Sequence, residues 1–172
     1  MSQDPQPTDA RAPQPTGTLT ATPTGRVLSL RRTIADPPES VWATVTEPDR
    51  TAKWFGSWTG TPGAGNTVQL AMSFEEGTNL IDVGIVACEA PRHLEVKVAE
   101  SGGGWHLEVH LTGSDGGTDL ELVHHLPADA PVAEVGPGWE FYLDNFLAAH
   151  TGGPAVSFDD YYPAQRDHYA GL

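Results

Sequence analysis

A chain of 172 residues, carrying 9 Lys and Arg against 23 Asp and Glu for a formal charge of −14, is long enough for one domain with its own core and too short for two. That charge repels phosphate backbones and anionic membrane surfaces, so the composition predicts no nucleic-acid partner, and no apolar run approaches the ~20 residues that cross a bilayer. The single cysteine, Cys88, lies in an apolar run, and residues 1–15 lack the apolar core of a secretory signal, which together predict a soluble, cytoplasmic protein.

Residues 1–18 are rich in Pro, Thr and Gln with almost no large apolar side chains, and are expected to be a disordered arm. The domain proper is expected over residues 19–153. Val27, Leu28, Leu30 and Ile34 mark a first strand. Asp36-Pro37-Pro38-Glu39 then starts a helix: Asp36 can cap free N–H groups, Pro37 sits where its missing N–H costs nothing, and Glu39 favours the positive helix end. This helix carries Val41, Trp42 and Val45 on one side and stops near Thr46, ahead of Pro48. A further turn or two runs through residues 49–54, after which Gly56, Gly60, Pro62, Gly63 and Gly65 punctuate a loop.

The middle of the chain alternates with period two. Val68, Leu70, Met72 and Phe74 share a face, as do Leu94, Val96 and Val98, and Leu120, Leu122 and Leu126, while Trp105, Leu107, Val109 and Leu111 alternate with His106, Glu108 and His110. Short Gly- and Pro-containing breaks between these runs predict an antiparallel meander with one apolar and one polar face. A long helix follows from Pro137, after a turn at residues 131–135, with Trp139, Tyr142, Leu143, Phe146, Leu147, Ala149 and His150 on its apolar side. Glu140, Asp144 and Asn145 fall on the other side, and so does Phe141, a position that only a tail or partner lying over it explains. The stretch 154–172 sets Phe158, Tyr161, Tyr162 and Tyr169 among Asp159, Asp160 and Asp167. It is open whether this tail docks on the domain, docks on a second copy to form a homodimer, or stays mobile.

The run from Arg31-Arg32-Thr33-Ile34 through Asp36-Pro37-Pro38-Glu39-Ser40-Val41-Trp42, with Thr46-Glu47-Pro48 and Trp54, resembles the opening of the activator-of-Hsp90-ATPase-like branch of the START and Bet v 1 superfamily. Gly138-Trp139-Glu140, Tyr142-Leu143 and Phe146-Leu147 resemble its closing helix, so the similarity covers about residues 26–153. The resemblance implies an α+β helix-grip (Bet v 1-like) fold: a curved antiparallel sheet of six or seven strands wrapped around a long C-terminal helix, with two short helices after the first strand. It also implies a cavity between helix and sheet. It supplies no shared catalytic motif, because the superfamily contains carriers, cyclases, regulators and co-chaperones alike.

The expected cavity lining is Trp42, Met72, Phe74, Trp105, His124, Trp139, Tyr142 and Phe146, with Trp54 and Phe55 at the mouth. The same alternation would also specify a filled core. His124 and His150 lie on apolar faces, where a satisfied core histidine is the plainer reading than an acid or base. His106, Glu108 and His110, flanked by Glu121 and His125, crowd one outward patch that reads as a solvated face, so no metal, cofactor or catalytic group is assigned. The expected function is non-catalytic binding of a small hydrophobic or aromatic ligand, with partnership to an Hsp90-type chaperone or cyclase-like catalysis as alternatives.

Overall fold

Eight strands join edge to edge in a computed structural model that describes residues 13–77, 80–98 and 104–172. They are β1 (Thr18–Thr22), β2 (Gly25–Ile34), β3 (Gly56–Thr59), β4 (Thr67–Met72), β5 (Leu80–Glu89), β6 (His93–Lys97), β7 (His106–Ser114) and β8 (Gly117–Leu126). Their order is β1-β2-β8-β7-β6-β5-β4-β3, antiparallel throughout, so every neighbour except the β2–β8 pair is also next in the chain. That pair runs from Arg26 opposite Leu126 to Ile34 opposite Thr118 and joins the meander to the first hairpin. A bulge between Ile85 and Ala87 interrupts the β5–β6 register and helps the sheet curve.

Two short helices, α1 (Pro38–Thr46) and α2 (Pro48–Thr51), separate β2 from β3. Pro37, rather than Asp36, occupies the N-cap of α1, and no side chain caps it. The Asp36 carboxylate reaches instead to His150 Nε2, 2.8 Å away at the far end of the long helix. That helix, α3 (Val132–Thr151), is followed by a 3-10 turn (Phe158–Asp160) and α4 (Arg166–Ala170). No described helix is long and apolar enough to cross a membrane.

Two expectations need revision. The sheet has eight strands, because β1 forms at the edge of the supposed arm and β3 forms inside the glycine-rich stretch taken for a loop. Helix α3 begins at Val132, not at Pro137, which the helix tolerates in its interior. Phe141, on the polar side of α3, has the cover it calls for: it meets the rings of Phe74 and of Phe158 and Tyr161 from the tail, all in edge-on contact.

The cover over Phe141 follows from what the chain ends do. The arm expected over residues 1–18 lies outside the described residues up to residue 12, but residues 13–17 run against α3. There the Thr16 hydroxyl and the Thr16 and Gly17 amides all donate to Glu140, and Gln165 Nε2 donates to the Pro13 carbonyl at 2.8 Å. Tyr169 donates to the same Glu140 carboxylate. Its ring fits because Gly136 has no side chain, since a Cβ there would stand 2.3 Å from Tyr169 Cδ1. Arg32 completes the network, with Nη2 2.8 Å from Glu140 Oε2 and Nε 2.9 Å from Asp144 Oδ1. Tyr161 caps Asp144 from the other side at 2.7 Å.

Glu140 is 1% exposed. Burial alone would raise its pKa, but the hydrogen bonds from Tyr169, the Thr16 amide and Arg32 outweigh burial and hold the carboxyl below its usual range. Burial and the bond to Glu140 push the Tyr169 phenol well above its ordinary value. Helix α3 is therefore enclosed on nearly every side, with the sheet against one flank and the chain ends against the other.

Candidate functional site

The inner face of the sheet is apolar because of the register. Leu107 pairs with His124 and Val109 with Leu122, so these four side chains point toward α3 while Glu108 and Val123 point away. Between sheet and helices lie two chambers.

The first, about 160 Å³, is enclosed by Val68, Leu70, Val83, Ile85, Leu94 and Val96 from the sheet, with Trp54, Phe55 and Trp58 across from them. Its few polar side-chain atoms include Trp54 Nε1 and Trp58 Nε1, and both are already committed, donating to the carbonyls of Thr44 and Thr46 at 2.9 Å. The Thr46 and Thr51 hydroxyls are committed likewise, to the carbonyls of Trp42 and Pro48, so what remains is a nearly all-apolar surface with the Cys88 thiol in it, comparable in size to cavities of about 150 Å³ that stay dry and accept a benzene ring.

The second chamber, about 380 Å³, lies between Trp105, His124 and Phe55 on one side and Val135, Gly138, Trp139 and Tyr142 of α3 on the other. Its open side is marked by the exposed Glu75, Glu134 and Phe158. Phe55 and Trp139 line both chambers, with their rings stacked 5.9 Å apart and planes 12° from parallel.

Polar groups in the second chamber are few and fixed. Trp139 Nε1–H donates to His124 Nδ1 at 3.0 Å, and because an indole nitrogen can only donate, His124 carries its own proton on Nε2. Burial, reinforced by the nearby His125 and His106, lowers the His124 pKa to about 4, so the ring is neutral at physiological pH. The Tyr142 hydroxyl donates to Glu75 Oε1 at 3.1 Å. Burial and that carboxylate push the phenol well above its usual pKa.

Of the residues expected to line a cavity, Phe74, Trp105, His124, Trp139 and Tyr142 border the second chamber. Trp42, Met72 and Phe146 border neither chamber. Phe146 is core, edge-on to Trp54 at 5.1 Å and stacked on His150 at 6.0 Å, while Trp42 and Met72 pack partly buried against the core. The supposed mouth is also misplaced, since Trp54 is a buried inner wall of the first chamber and Phe55 stands between the two chambers. His150 is held by Thr44 Oγ1 at 2.7 Å and by Asp36, which ties α3 to α1. Glu75 and Glu134 were not singled out from the sequence, because a Glu-Glu-Gly turn and the stretch before Pro137 carry no periodic signal.

On the opposite, outer face the structure gathers Glu108, His106, His110 and His125 and adds His93 and Glu95. Glu121 is drawn away to Ser29 and Arg31.

A curved antiparallel sheet gripping a twenty-residue helix above internal chambers defines a helix-grip, Bet v 1-like protein. The chain belongs to the activator of Hsp90 ATPase homolog 1-like protein (AHSA1) family, whose model matches residues 35–151. The crystal structure of CalU16 from Micromonospora echinospora is 25% identical, with a TM-score of 0.73 over 92% of this chain and 96% of that one. DynU16, a protein of the dynemicin biosynthetic locus, is 23% identical with a TM-score of 0.67 over 77% of this chain and 50% of that one. MLL2253 from Mesorhizobium loti shares the fold at 19% identity, with a TM-score of 0.64 over 75% of this chain and 99% of its own. No curated relative matches the chain.

Proposed function

We propose that this protein binds a small, largely aromatic molecule in the chambers beneath α3 and does not transform it. The carrying observation is the division of labour on either side of the Phe55–Trp139 pair. One side is almost wholly apolar, and the other offers aromatic walls with His124 Nε2–H, the Tyr142 hydroxyl and Glu75 at fixed places. Affinity would come from the apolar surface and orientation from the few polar groups. The second chamber falls within the ~300–1,000 Å³ of small-molecule sites.

A cyclase-like reaction is the weaker reading. His124, the one imidazole in the second chamber, has a pKa of about 4, which makes it a poor base near neutrality, and the Tyr142 phenol holds its proton firmly. A chaperone partnership draws on the family's description alone. The place of DynU16 in a biosynthetic locus is in keeping with a small-molecule ligand. The lone thiol of Cys88, partly buried and unpaired, supports a reducing, cytoplasmic setting.

Thermal unfolding in the presence of polycyclic aromatic compounds tests the reading. A ligand at about 100 times its dissociation constant adds ~2.7 kcal/mol, which raises Tm by roughly 5–10 °C in a chain of this size. A broad panel that leaves Tm unmoved would overturn it.

A further inference from the structure

Behind the first chamber, the outer face of β6, β7 and β8 sets four imidazoles around two carboxylates. In register, His93 faces His110, Glu95 faces Glu108 and Lys97 faces His106, with His125 on the adjacent strand. Glutamates directly opposite one another repel, and the imidazoles occupy the space around them. His93 stacks on His110 at 4.5 Å with planes 12° apart, and His106 stacks on His125 at 4.2 Å. Glu108 is the hub: its Oε1 lies 2.9 Å from His93 Nε2 and 3.4 Å from His110 Nε2, and its Oε2 lies 2.6 Å from His125 Nε2.

We infer that His93, Glu108 and His110 form a binding site for a divalent transition ion of the zinc class, with water completing the coordination. Their three donor atoms lie within 4.8 Å of one another. Around a tetrahedral zinc with bonds of 2.0–2.1 Å, donors stand roughly 3.3 Å apart. Two of the three separations are already 2.9 and 3.4 Å, and the third, between the two imidazole nitrogens, is at most 4.8 Å, a gap that a tilt of the parallel rings closes. Two imidazoles and one carboxylate suit zinc, copper or nickel, whereas calcium and magnesium prefer oxygen alone.

The surroundings are those of a supported site. His125 holds the second oxygen of Glu108 and so aims the first between the two rings, the arrangement by which outer groups orient metal ligands. The His93 and Glu108 side chains are 20% and 19% exposed, whereas His110 is 41% exposed and leaves a side open to water. With an ion on Nε2, each neutral ring carries its single proton on Nδ1: the proton that Nε2 of His93 directs at Glu108 leaves to water as the ion takes its place and Nδ1 takes one up from water, a change of tautomer with no change of charge. A chain of net charge −14 also concentrates cations near its surface. The same two strands present Leu94, Val96, Leu107 and Val109 to the first chamber, so an ion here would tie together the back wall of that chamber.

Calorimetric titration of chelator-treated protein with Zn2+ tests this, with Co2+ absorption as a second readout of coordination. One equivalent of Zn2+ is expected to bind, and His93→Asn/His110→Asn is expected to weaken it by at least ~10-fold, with loss of the visible Co2+ bands. Glu108→Gln, which keeps both imidazoles, is expected to do the same, while His168→Ala, exposed on α4, keeps wild-type affinity. Should the double variant prove unfolded by circular dichroism, the more exposed His110→Asn alone serves in its place. Equal Zn2+ affinity in the wild type and in both ligand variants, or no binding by the wild type, would overturn the inference.

Discussion

Phe55 and Trp139 lie nearly parallel and offset, 5.9 Å between centroids, and the two rings form a wall common to an apolar chamber of about 160 Å³ and a larger one of about 380 Å³. A phenyl ring is the only side chain that Phe55 contributes to that wall, so shortening it should open a passage. Phe55→Leu is expected to cost about 1–2 kcal/mol in urea unfolding through lost packing. Fused-ring ligands should then give a larger thermal shift than in the wild type, while single-ring ligands give the same or a smaller one. Equal losses for both classes would mean that Phe55 acts as a ligand contact and not as a partition.

The His124 ring takes up its proton at a pKa of about 4 in the folded protein, against 6.5 for an ordinary imidazole. Between those values the unfolded chain binds more protons than the folded one, so stability falls as the pH drops from 6.5 toward 4, by about 3 kcal/mol in all. The carboxyls of Glu108, Glu121 and Glu140, held below their ordinary value of 4.5, add their own losses only at lower pH. Urea unfolding of His124→Asn at a series of pH values should show a flatter curve between pH 6.5 and 4.5. An unchanged slope would mean that another group carries it.

Among the described residues Arg32 is the only guanidinium on the enclosed Glu140, and its loss would leave that carboxylate without this cation. Arg32→Met is expected to cost about 3–5 kcal/mol by equilibrium denaturation. Combining it with Glu140→Gln should cost less than the sum of the two single changes, because no buried charge then remains. Strict additivity would show that the two side chains are not coupled.

Ala normally favours a helix over Gly by about 1 kcal/mol, yet Gly136→Ala should loosen this protein, because the new methyl group would overlap the Tyr169 ring. Limited proteolysis followed by mass spectrometry should release the segment after residue 153 faster in the variant than in the wild type. Equal rates would place Tyr169 elsewhere in solution.

The sheet was legible because period-two alternation over β4, β7 and β8 survives in the sequence without help from distant residues, and the proline-led start of α1 is similarly local. Phe141 and Glu140 were opaque for the opposite reason. Their partners are Phe158, Tyr161, Tyr169 and Thr16, brought in from both chain ends, and no periodicity of α3 announces them. Trp54 was expected at the mouth because it adjoins the glycine-rich stretch, a position that says nothing about which way an indole folds. His93 escaped notice since the apolar residues Leu94 and Val96 defined that strand and the polar positions between them were not compared with those of β7. Whether the inner face was filled or hollow could not be read at all, because one alternation serves both.

If an aromatic guest sits beside the Phe55–Trp139 pair, proton nuclear Overhauser contacts between bound ligand and protein will place it there. The expected result is a set of contacts to the Phe55 and Trp139 rings together with Trp105, Tyr142 or His124. Contacts confined to the outer strand face around Glu95 and His106, or a ligand that shifts Tm without touching either ring, would contradict it.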